Sequence, residues 1–340
     1  MSNCSGSTDM PEPKRGRAMK FSLDVLKINP AEETGKVADF VLEQTSRVYH
    51  RNGVIVGLSG GVDSAVMAAL AVRALGSDRV VGLVLPEKES NPVSRKFAVA
   101  HAGSLGIEFR EIDITPTVDS VAGYASRDEF IKGIIPEYSA GCKYNIALPS
   151  DLLERAALNL YVLQVMLPDG TIKKKRLQIQ QFLTITSFAN IKIRSRMIHL
   201  YAEAERRNLL VAGTTNRTEL ILGDFCKHGD GGTDIEALAH LYKNQVYQLA
   251  DYLDVTADII NREPSPDTFS LPVTDQEFFF RIPFSKIDLL LYAWEHDVPQ
   301  AETASVLGLS EEAVKRAFKD FTSKNRATEH LRETAHALTG

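Results

Sequence analysis

The sequence predicts an α/β fold in which a doubly wound, Rossmann-like parallel sheet is followed by a helical C-terminal part. The first observation behind this prediction is the stretch "GVIVGLSGGVDSAVMAAL", where an apolar strand runs through a glycine turn into an apolar helix. The second is that strand-like and helical stretches alternate at the spacing of βαβ units. The third is that the strand-like runs are continuously apolar, which is typical of a sheet covered on both faces.

The predicted elements begin with a helix at about residues 30–50, where apolar side chains recur on one helical face. The alternation then predicts strand 53–59, helix 63–76, strand 79–86, helix 92–106 and strand 108–114. Further along the chain it predicts helix 188–208, strand 209–214 and a short helix at 216–223. Four more helices follow, at residues 242–253, 285–295, 301–307 and 311–321.

The middle of the chain breaks this rhythm. Over residues 159–182, two strand-like runs are joined by Pro168-Asp169-Gly170, which predicts a hairpin. The hairpin belongs to an extra stretch at about residues 137–181, which is a dimer element, a substrate element or a plain insertion. Residues 224–234, "DFCKHGDGGTD", hold too many glycines and aspartates for a regular element and predict a mobile loop.

The composition describes a globular protein with ample core. The chain has 340 residues and a formal net charge of −5, and this negative charge argues against a nucleic-acid-binding protein. No apolar run approaches the roughly 18 to 20 residues that cross a bilayer. Three widely spaced cysteines without a C-x-x-C pair favour a reduced cytoplasm.

The sequence further predicts three parts of unequal size. Residues 1–30 are expected to be a disordered leader, in which Met1 or Met19 is the true start. Residues 31–325 are expected to form a single domain, and residues 326–340 a C-terminal tail.

The glycine turn has the composition of a phosphate-binding loop. Gly60 and Gly61 let backbone N–H groups approach a polyphosphate, and the next helix directs its positive dipole end at the anion. Ser59 and Ser64 add hydroxyl donors, while Asp63 offers a carboxylate for a magnesium ion. A Walker A loop would also need a lysine here, and the turn has none.

Ser-Gly-Gly-x-Asp-Ser after a strand resembles the signature of the ATP pyrophosphatase (PP-loop, adenine nucleotide alpha hydrolase-like) superfamily. Its members cleave ATP between the α and β phosphates and transfer AMP to an oxygen of the substrate. Three later segments, "NIKIRSRM", "VAGTTNRTELILGDFCKHGDGGTDI" and "LYKNQVYQLADYL", resemble in that order the NAD synthetase family of the ammonia-dependent type. The resemblance covers roughly residues 39–113 and 188–321.

The resemblance implies roles for individual residues. Asp63 and Glu219 would be the magnesium carboxylates and Lys243 would reach the ATP phosphates, and all three, with Lys227, would be catalytic. The residues implied in ATP binding are Gly57, Leu58, Ser59, Gly60, Gly61, Val62, Asp63, Ser64, Thr214, Lys243 and Ser265. The residues implied in binding deamido-NAD are Arg194, Lys227, Asp234 and His330. The glycines around Lys227 would let its loop close over the acyl adenylate.

The implied reaction is ATP-dependent adenylation of the nicotinate carboxylate of deamido-NAD, followed by amidation with ammonia. The implied protein is a homodimer that uses magnesium. No amidase domain is expected ahead of the synthetase part, so that free ammonia or a separate glutaminase would supply the nitrogen. Two rivals remain, another AMP-forming ligase with a different carboxylate and a non-catalytic nucleotide-binding protein.

The sequence departs from the family pattern at two further points. "TSFAN" stands at the N-x-K motif in place of the family's glycine-containing segment, and the resemblance implies a different floor of the dinucleotide pocket. Leu331 stands where the family has a lysine after its histidine. His330 is therefore either a dinucleotide contact or a surface histidine.

Overall fold

The strands form two separate sheets. The structure is a computed structural model that describes residues 20–148, 152–154 and 160–338. In chain order its strands are β1 (Gly53–Gly57), β2 (Val80–Val84), β3 (Glu108–Glu111), β4 (Lys143–Ala147), β5 (Val162–Met166), β6 (Ile172–Arg176) and β7 (Leu209–Ala212).

The main sheet is parallel and has the strand order β3-β2-β1-β7. Ile55 in the central strand lies opposite Val81 on one side and Val211 on the other. Because parallel strands end at the same edge of a sheet, the glycine turn after β1 and the residues after β7 lie side by side. The predicted parallel sheet is confirmed.

Thirteen α-helices lie within the described residues. They are α1 (Pro30–Glu43), α2 (Val62–Leu75), α3 (Pro92–Leu105), α4 (Thr115–Ala122), α5 (Tyr124–Ile134), α6 (Ile179–Arg207), α7 (Arg217–Leu222), α8 (Lys243–Tyr252), α9 (Ala257–Ile260), α10 (Phe284–Glu295), α11 (Gln300–Leu307), α12 (Glu311–Ala327) and α13 (Glu329–Arg332). None of the described helices is both long and apolar enough to cross a membrane.

Helices cover both faces of the main sheet. Successive side chains of a strand point to opposite faces, and Val54 and Val56 pack with α1, α2, α3 and α8. Ile55 packs on the other face with α4 and α6. The doubly wound arrangement that the apolar strands predicted is therefore confirmed.

The extra stretch contains a three-stranded antiparallel sheet, β4-β5-β6. The predicted hairpin is confirmed as β5 and β6, and Gly170 in its turn has a φ of +85°. β4 was missed because five residues without a turn signal give too short a pattern. α6 begins at Ile179, nine residues earlier than predicted, since a capping box between Gln178 and Gln181 starts a helix in a stretch that alternates like a strand.

α4 and α5 fill residues 115–134, where no element was predicted. α10 to α12 form a second core with Phe280 and Phe321.

Phe21 and Leu26, in the predicted leader, are buried, and Phe21 stacks on Tyr292. The packed chain thus begins at least nine residues before residue 30, while residues 1–19 of the predicted leader lie outside the described residues.

Candidate active site

The glycine turn joins β1 to α2 and is held by its own hydroxyl groups. Ser64 Oγ donates to the carbonyl of Gly61 at 3.0 Å and accepts from the Ser59 N–H at 3.3 Å. Gly60 has a φ of +76°, and a Cβ there would lie 2.2 Å from the carbonyl oxygen of Ser94. Only glycine therefore fits the turn in this form. With Gly61 as its N-cap, α2 directs the positive end of its dipole at the space outside the turn.

Two carboxylates and one ammonium meet at this edge of the sheet. Lys243 Nζ donates to Asp63 Oδ2 and lies 3.4 Å from Glu219 Oε1. The Lys243 side chain is 6% exposed, and those of Asp63 and Glu219 are 17% and 22% exposed. Asp63, Glu219 and Lys243 lie in the first turns of three different helices, α2, α7 and α8. The structure thus brings together the three residues that the sequence singled out for phosphate chemistry.

Asn216 and Glu219 hold each other in place. Asn216 Oδ1 accepts from the Glu219 N–H at 3.1 Å, and the Glu219 carboxylate accepts from the Asn216 N–H at 3.3 Å. Asn216 Nδ2 also donates to Asp63 Oδ1 at 3.0 Å. Sequence reasoning missed Asn216, although Asn followed three residues later by Glu is a capping-box signal that could have found it.

Asp288 supports the lysine from behind. Its carboxylate accepts from Thr218 Oγ1 and from the Asn244 N–H, both at 2.6 Å. Thr218 Oγ1 in turn accepts from the Lys243 N–H at 3.2 Å. Burial raises the pKa of Asp288 to about 6, although both of these hydrogen bonds lower it. The start of α8, and with it Lys243, is fixed by a residue of α10 that no local pattern indicated.

The site carries more negative than positive charge. Burial raises the pKa of Glu219 well above its ordinary value, and the charges of Asp63, Asp224 and Asp275 add to this rise against the opposing charge of Lys243. Burial likewise raises the pKa of Asp275 to about 6. Burial lowers the pKa of Lys243, but Asp63 and Glu219 outweigh it and the pKa is raised. A cation beside these carboxylates would be stabilised.

The donor set fits a magnesium ion that shares its ligands with a substrate. Asp63 and Glu219 offer carboxylate oxygens, the ligands that this cation prefers, and magnesium is commonly held by one or two carboxylates together with phosphate oxygens. Within the described residues, no group of three or more His, Cys, Asp or Glu side chains is arranged to hold a metal by itself.

Arg194, Lys227 and His330 form a second cluster. Arg194 Nε and Nη2 both donate to the carbonyl of Lys227 at 3.2 Å. Lys227 Nζ donates to the carbonyls of His330 at 2.5 Å and Glu333 at 2.9 Å. His330 therefore joins the cluster through its main chain, while its exposed imidazole is free of this contact.

The predicted mobile loop at residues 224–234 is closely packed. A Cβ on Gly231 would lie 2.3 Å from the ring of Phe225. Asp234 accepts from the Val211 N–H of β7 at 2.7 Å and from Tyr201 Oη at 3.1 Å. Asp234 thus contacts β7 and α6, and within the described residues no hydrogen bond joins it to Arg194, Lys227 or His330.

The remaining predicted ATP residues lie at the same edge of the sheet. Thr214 is half-buried directly after β7, two residues before Asn216. Ser265 is half-buried in the segment after α9, whose Arg262 donates to the carbonyl of Gly60 at 3.3 Å. Each residue is thus within three positions of the chain of a residue that contacts the glycine turn or Asp63.

A buried ion cluster lies where β2 ends and was not foreseen. Lys192 Nζ, 2% exposed, donates to Glu87 at 2.8 Å, to Glu89 at 2.7 Å and to the carbonyl of Thr268 at 3.0 Å. Arg127 makes a two-pronged contact with Glu89, at 2.6 and 2.7 Å. Lys192 stands in the "NIKIRSRM" segment, yet its acidic partners are about a hundred residues away, so that only the fold reveals the cluster.

Known proteins resemble this chain over most of its length. A family model described as NAD synthase matches residues 34–153 and 152–335. An NH3-dependent NAD+ synthetase of Mesorhizobium japonicum is 39% identical over 307 residues, which are 90% of this chain and 96% of that protein. One of Thermotoga maritima is 38% identical over 248 residues, which are 73% of this chain and 82% of that protein.

Two solved structures share the fold. An NMN synthetase from Francisella tularensis matches with a TM-score of 0.61 and 23% identity, over 92% of this chain and all (100%) of that one. An NH3-dependent NAD synthetase from Campylobacter jejuni matches with a TM-score of 0.59 and 24% identity, also over 92% of this chain and 100% of that one. Since the family model spans most of the chain and the Mesorhizobium protein aligns with nearly all of it, the chain belongs to the NAD synthase family.

Proposed function

We propose that this member of the NAD synthase family activates the nicotinate carboxylate of deamido-NAD with ATP and amidates it with free ammonia. The observation that carries the proposal is the contact of Lys243 with both Asp63 and Glu219 beside the glycine turn. A carboxylate and a polyphosphate repel each other, so a site for their reaction needs cations and N–H donors where the charges meet.

The first step joins the carboxylate to AMP. A carboxylate oxygen attacks the α-phosphorus, and pyrophosphate leaves with the electron pair of the broken P–O bond. The N–H groups at the start of α2 bind the phosphates, with the hydroxyls of Ser59 and Ser64 beside them. Lys243 turns from the carboxylates to the phosphates. Magnesium bound by Asp63 and Glu219 would neutralise the charge on the phosphate oxygens.

The second step replaces AMP with ammonia. The nitrogen attacks the acyl carbon, a proton leaves the nitrogen, and AMP departs with the electron pair of the C–O bond. Arg194 and Lys227 bind the dinucleotide, with Asp234 and His330 beside them. The loop at residues 224–234 excludes water, which would otherwise hydrolyse the adenylate.

We infer that the protein is a homodimer in the cytoplasm. Free ammonia, or ammonia from a separate glutaminase, would supply the nitrogen. Val121 on α4 and Ile198 on α6 are exposed apolar side chains on neighbouring helices, which supports a covering partner. Sedimentation at micromolar concentration is expected to give twice the mass of the chain, and a monomer at all concentrations would contradict this part.

Isotopic labelling tests the proposed route. Deamido-NAD with heavy oxygen in both carboxylate positions is expected to transfer one labelled oxygen to AMP and to keep the other in the amide of NAD. Unlabelled AMP would contradict activation of this carboxylate. A different carboxylate that supports exchange of pyrophosphate into ATP would then identify the alternative ligase.

Replacing Gly60 with alanine is expected to weaken ATP binding by about tenfold or more. The new Cβ meets the carbonyl of Ser94, and a left-handed φ at a residue other than glycine adds strain on the order of 1–3 kcal/mol. Calorimetric titration with the non-hydrolysable analogue of ATP measures this. Gly103→Ala in α3 is the control, because no heavy atom lies within 4 Å of its Cβ. Equal affinities in the two variants would contradict the role of the turn.

Replacing Lys227 with alanine is expected to raise the KM for deamido-NAD by about tenfold, since a hydrogen bond from a charged group contributes about 1.5–3 kcal/mol. The KM for ATP should change little, because Lys227 contacts the C-terminal segment and not the glycine turn. Steady-state kinetics with each substrate varied measures both constants. The exposed Lys132 gives a control, Lys132→Ala. An unchanged KM for deamido-NAD would remove Lys227 from the site.

A further inference from the structure

The segment at residues 262–281, which we call the strap, contacts the glycine turn through its first residue. Arg262 donates to the carbonyl of Gly60 at 3.3 Å and to Ser94 Oγ at 2.8 Å. Asp267 accepts from Ser94 Oγ at 2.9 Å and from the Asn91 N–H at 3.2 Å. The first residues of the strap therefore fix the turn and the start of α3 together.

The opposite side of the strap pairs with β4 of the small sheet. The Leu271 N–H donates to the carbonyl of Tyr144 at 2.9 Å, and the Tyr144 N–H donates to Ser270 Oγ at 3.0 Å. Asn145 Nδ2 donates to the carbonyl of Pro272 at 3.0 Å. Since β5 occupies the other edge of β4, the strap covers the edge of β4 that β5 leaves open.

The contact continues to the end of the strap. The Leu148 N–H donates to the carbonyl of Glu277 at 2.8 Å. Phe269 packs edge-on against Tyr144, with ring centroids 5.8 Å apart, and lies 5.5 Å from the ring of Phe278. The strap is thus held by main-chain hydrogen bonds and by a buried aromatic contact.

The strap also carries groups that act on the reacting centre. The charge of Asp275 is one of those that raise the pKa of Lys243. The Asp275 N–H donates to the carbonyl of Pro264 at 3.0 Å, and this hydrogen bond closes the strap into a loop. The buried Lys192 donates to the carbonyl of Thr268, which lies within the strap. Position and charge at the ATP site therefore depend on where the strap is held.

We propose that the small sheet is a fixed support that orders the strap before ATP arrives, and that the extra stretch therefore serves ATP affinity rather than the choice of dinucleotide. The proposal rests on ATP binding at the glycine turn, as proposed above. Ser270 and Asn145 are positioning residues, because they act on the turn only through the strap.

The test removes the side-chain contacts between sheet and strap. In the double variant Ser270→Ala with Asn145→Ala, the Leu271 and Asp275 amides should exchange hydrogen faster. The KM for ATP should rise about tenfold, because two hydrogen bonds of about 0.5–1.5 kcal/mol each are lost and about 1.4 kcal/mol corresponds to a tenfold change. The KM for deamido-NAD should stay within about twofold, below the effect of one such bond. Ser270→Ala alone is the milder variant if the pair folds poorly. Lys174→Ala, exposed on β6 of the same sheet, is the control.

Three outcomes would overturn the proposal. Unchanged exchange in the strap would show that the sheet does not order it, and faster exchange with an unchanged KM for ATP would show that its order does not matter. An equal rise in both KM values would indicate a general structural defect. Failure of the unaltered protein to bind ATP at all would instead contradict the proposed function.

Discussion

Replacing Asp63 with Asn, or Glu219 with Gln, is expected to lower the rate of adenylation on the order of a hundredfold or more. Either change removes one of the two carboxylates that contact Lys243, and with it a ligand for the cation that would neutralise the phosphates. The shape of the side chain is kept, so the loss reports on charge.

Rapid-quench measurement of AMP formation from ATP gives this rate directly. The magnesium concentration for half-maximal rate should also rise in both variants, which a merely structural defect would not produce. Asp251→Asn, at an exposed position of α8, is the matched control. Near-normal turnover in Asp63→Asn or Glu219→Gln would contradict the assignment of the two carboxylates.

Replacing Lys192 with Met is expected to lower the free energy of unfolding by about 3–5 kcal/mol, the range for removing one partner from a buried ion pair. Methionine fills much of the same space, but the fully buried Glu87 carboxylate then loses its charged partner. It keeps the uncharged donors Tyr124 Oη at 2.7 Å and the Glu89 N–H at 3.0 Å. Glu89 still contacts Arg127.

Urea unfolding of the parent, Lys192→Met and the exposed control Lys132→Met measures this loss. Equal free energies of unfolding in all three would contradict a structural role for the cluster.

The free energy that the cluster contributes to folding depends on pH with a defined sign. Burial alone would raise the pKa of Glu89, but Arg127 and Lys192 outweigh it and the pKa is lowered. The stability from Glu89 is therefore present above the ordinary pKa of the carboxyl and lost as the pH falls through its folded value.

Local patterns were enough to predict the main sheet. β1, β2 and β7 are apolar runs bounded by turn residues, and α2 and α3 follow at the spacing of a βαβ unit. β4 was missed because its five residues are too short a pattern and because one of its two neighbours, the strap, lies more than a hundred residues later. The start of α6 was misplaced because a strand-like alternation and a helix signal overlap there.

For the site too, residues in short motifs could be predicted and residues that act through distant contacts could not. Asp63, Glu219 and Lys243 stand in short motifs whose chemistry can be inferred from the residues, and the fold brings them together. Asp288 and Glu87 act on functional segments through contacts that span 70 and 105 positions of the chain. No window of sequence contains both partners of such a contact, so the structure was needed to find them.

We infer that one site couples cleavage of ATP to amidation of deamido-NAD. The most direct measurement follows NAD, AMP and pyrophosphate together after purified protein is mixed with magnesium, ATP, ammonium chloride and deamido-NAD. The three products are expected to form in equal amounts, and NAD should vanish when ammonium is omitted. Formation of ADP and phosphate, or of AMP that does not depend on deamido-NAD, would contradict the claim.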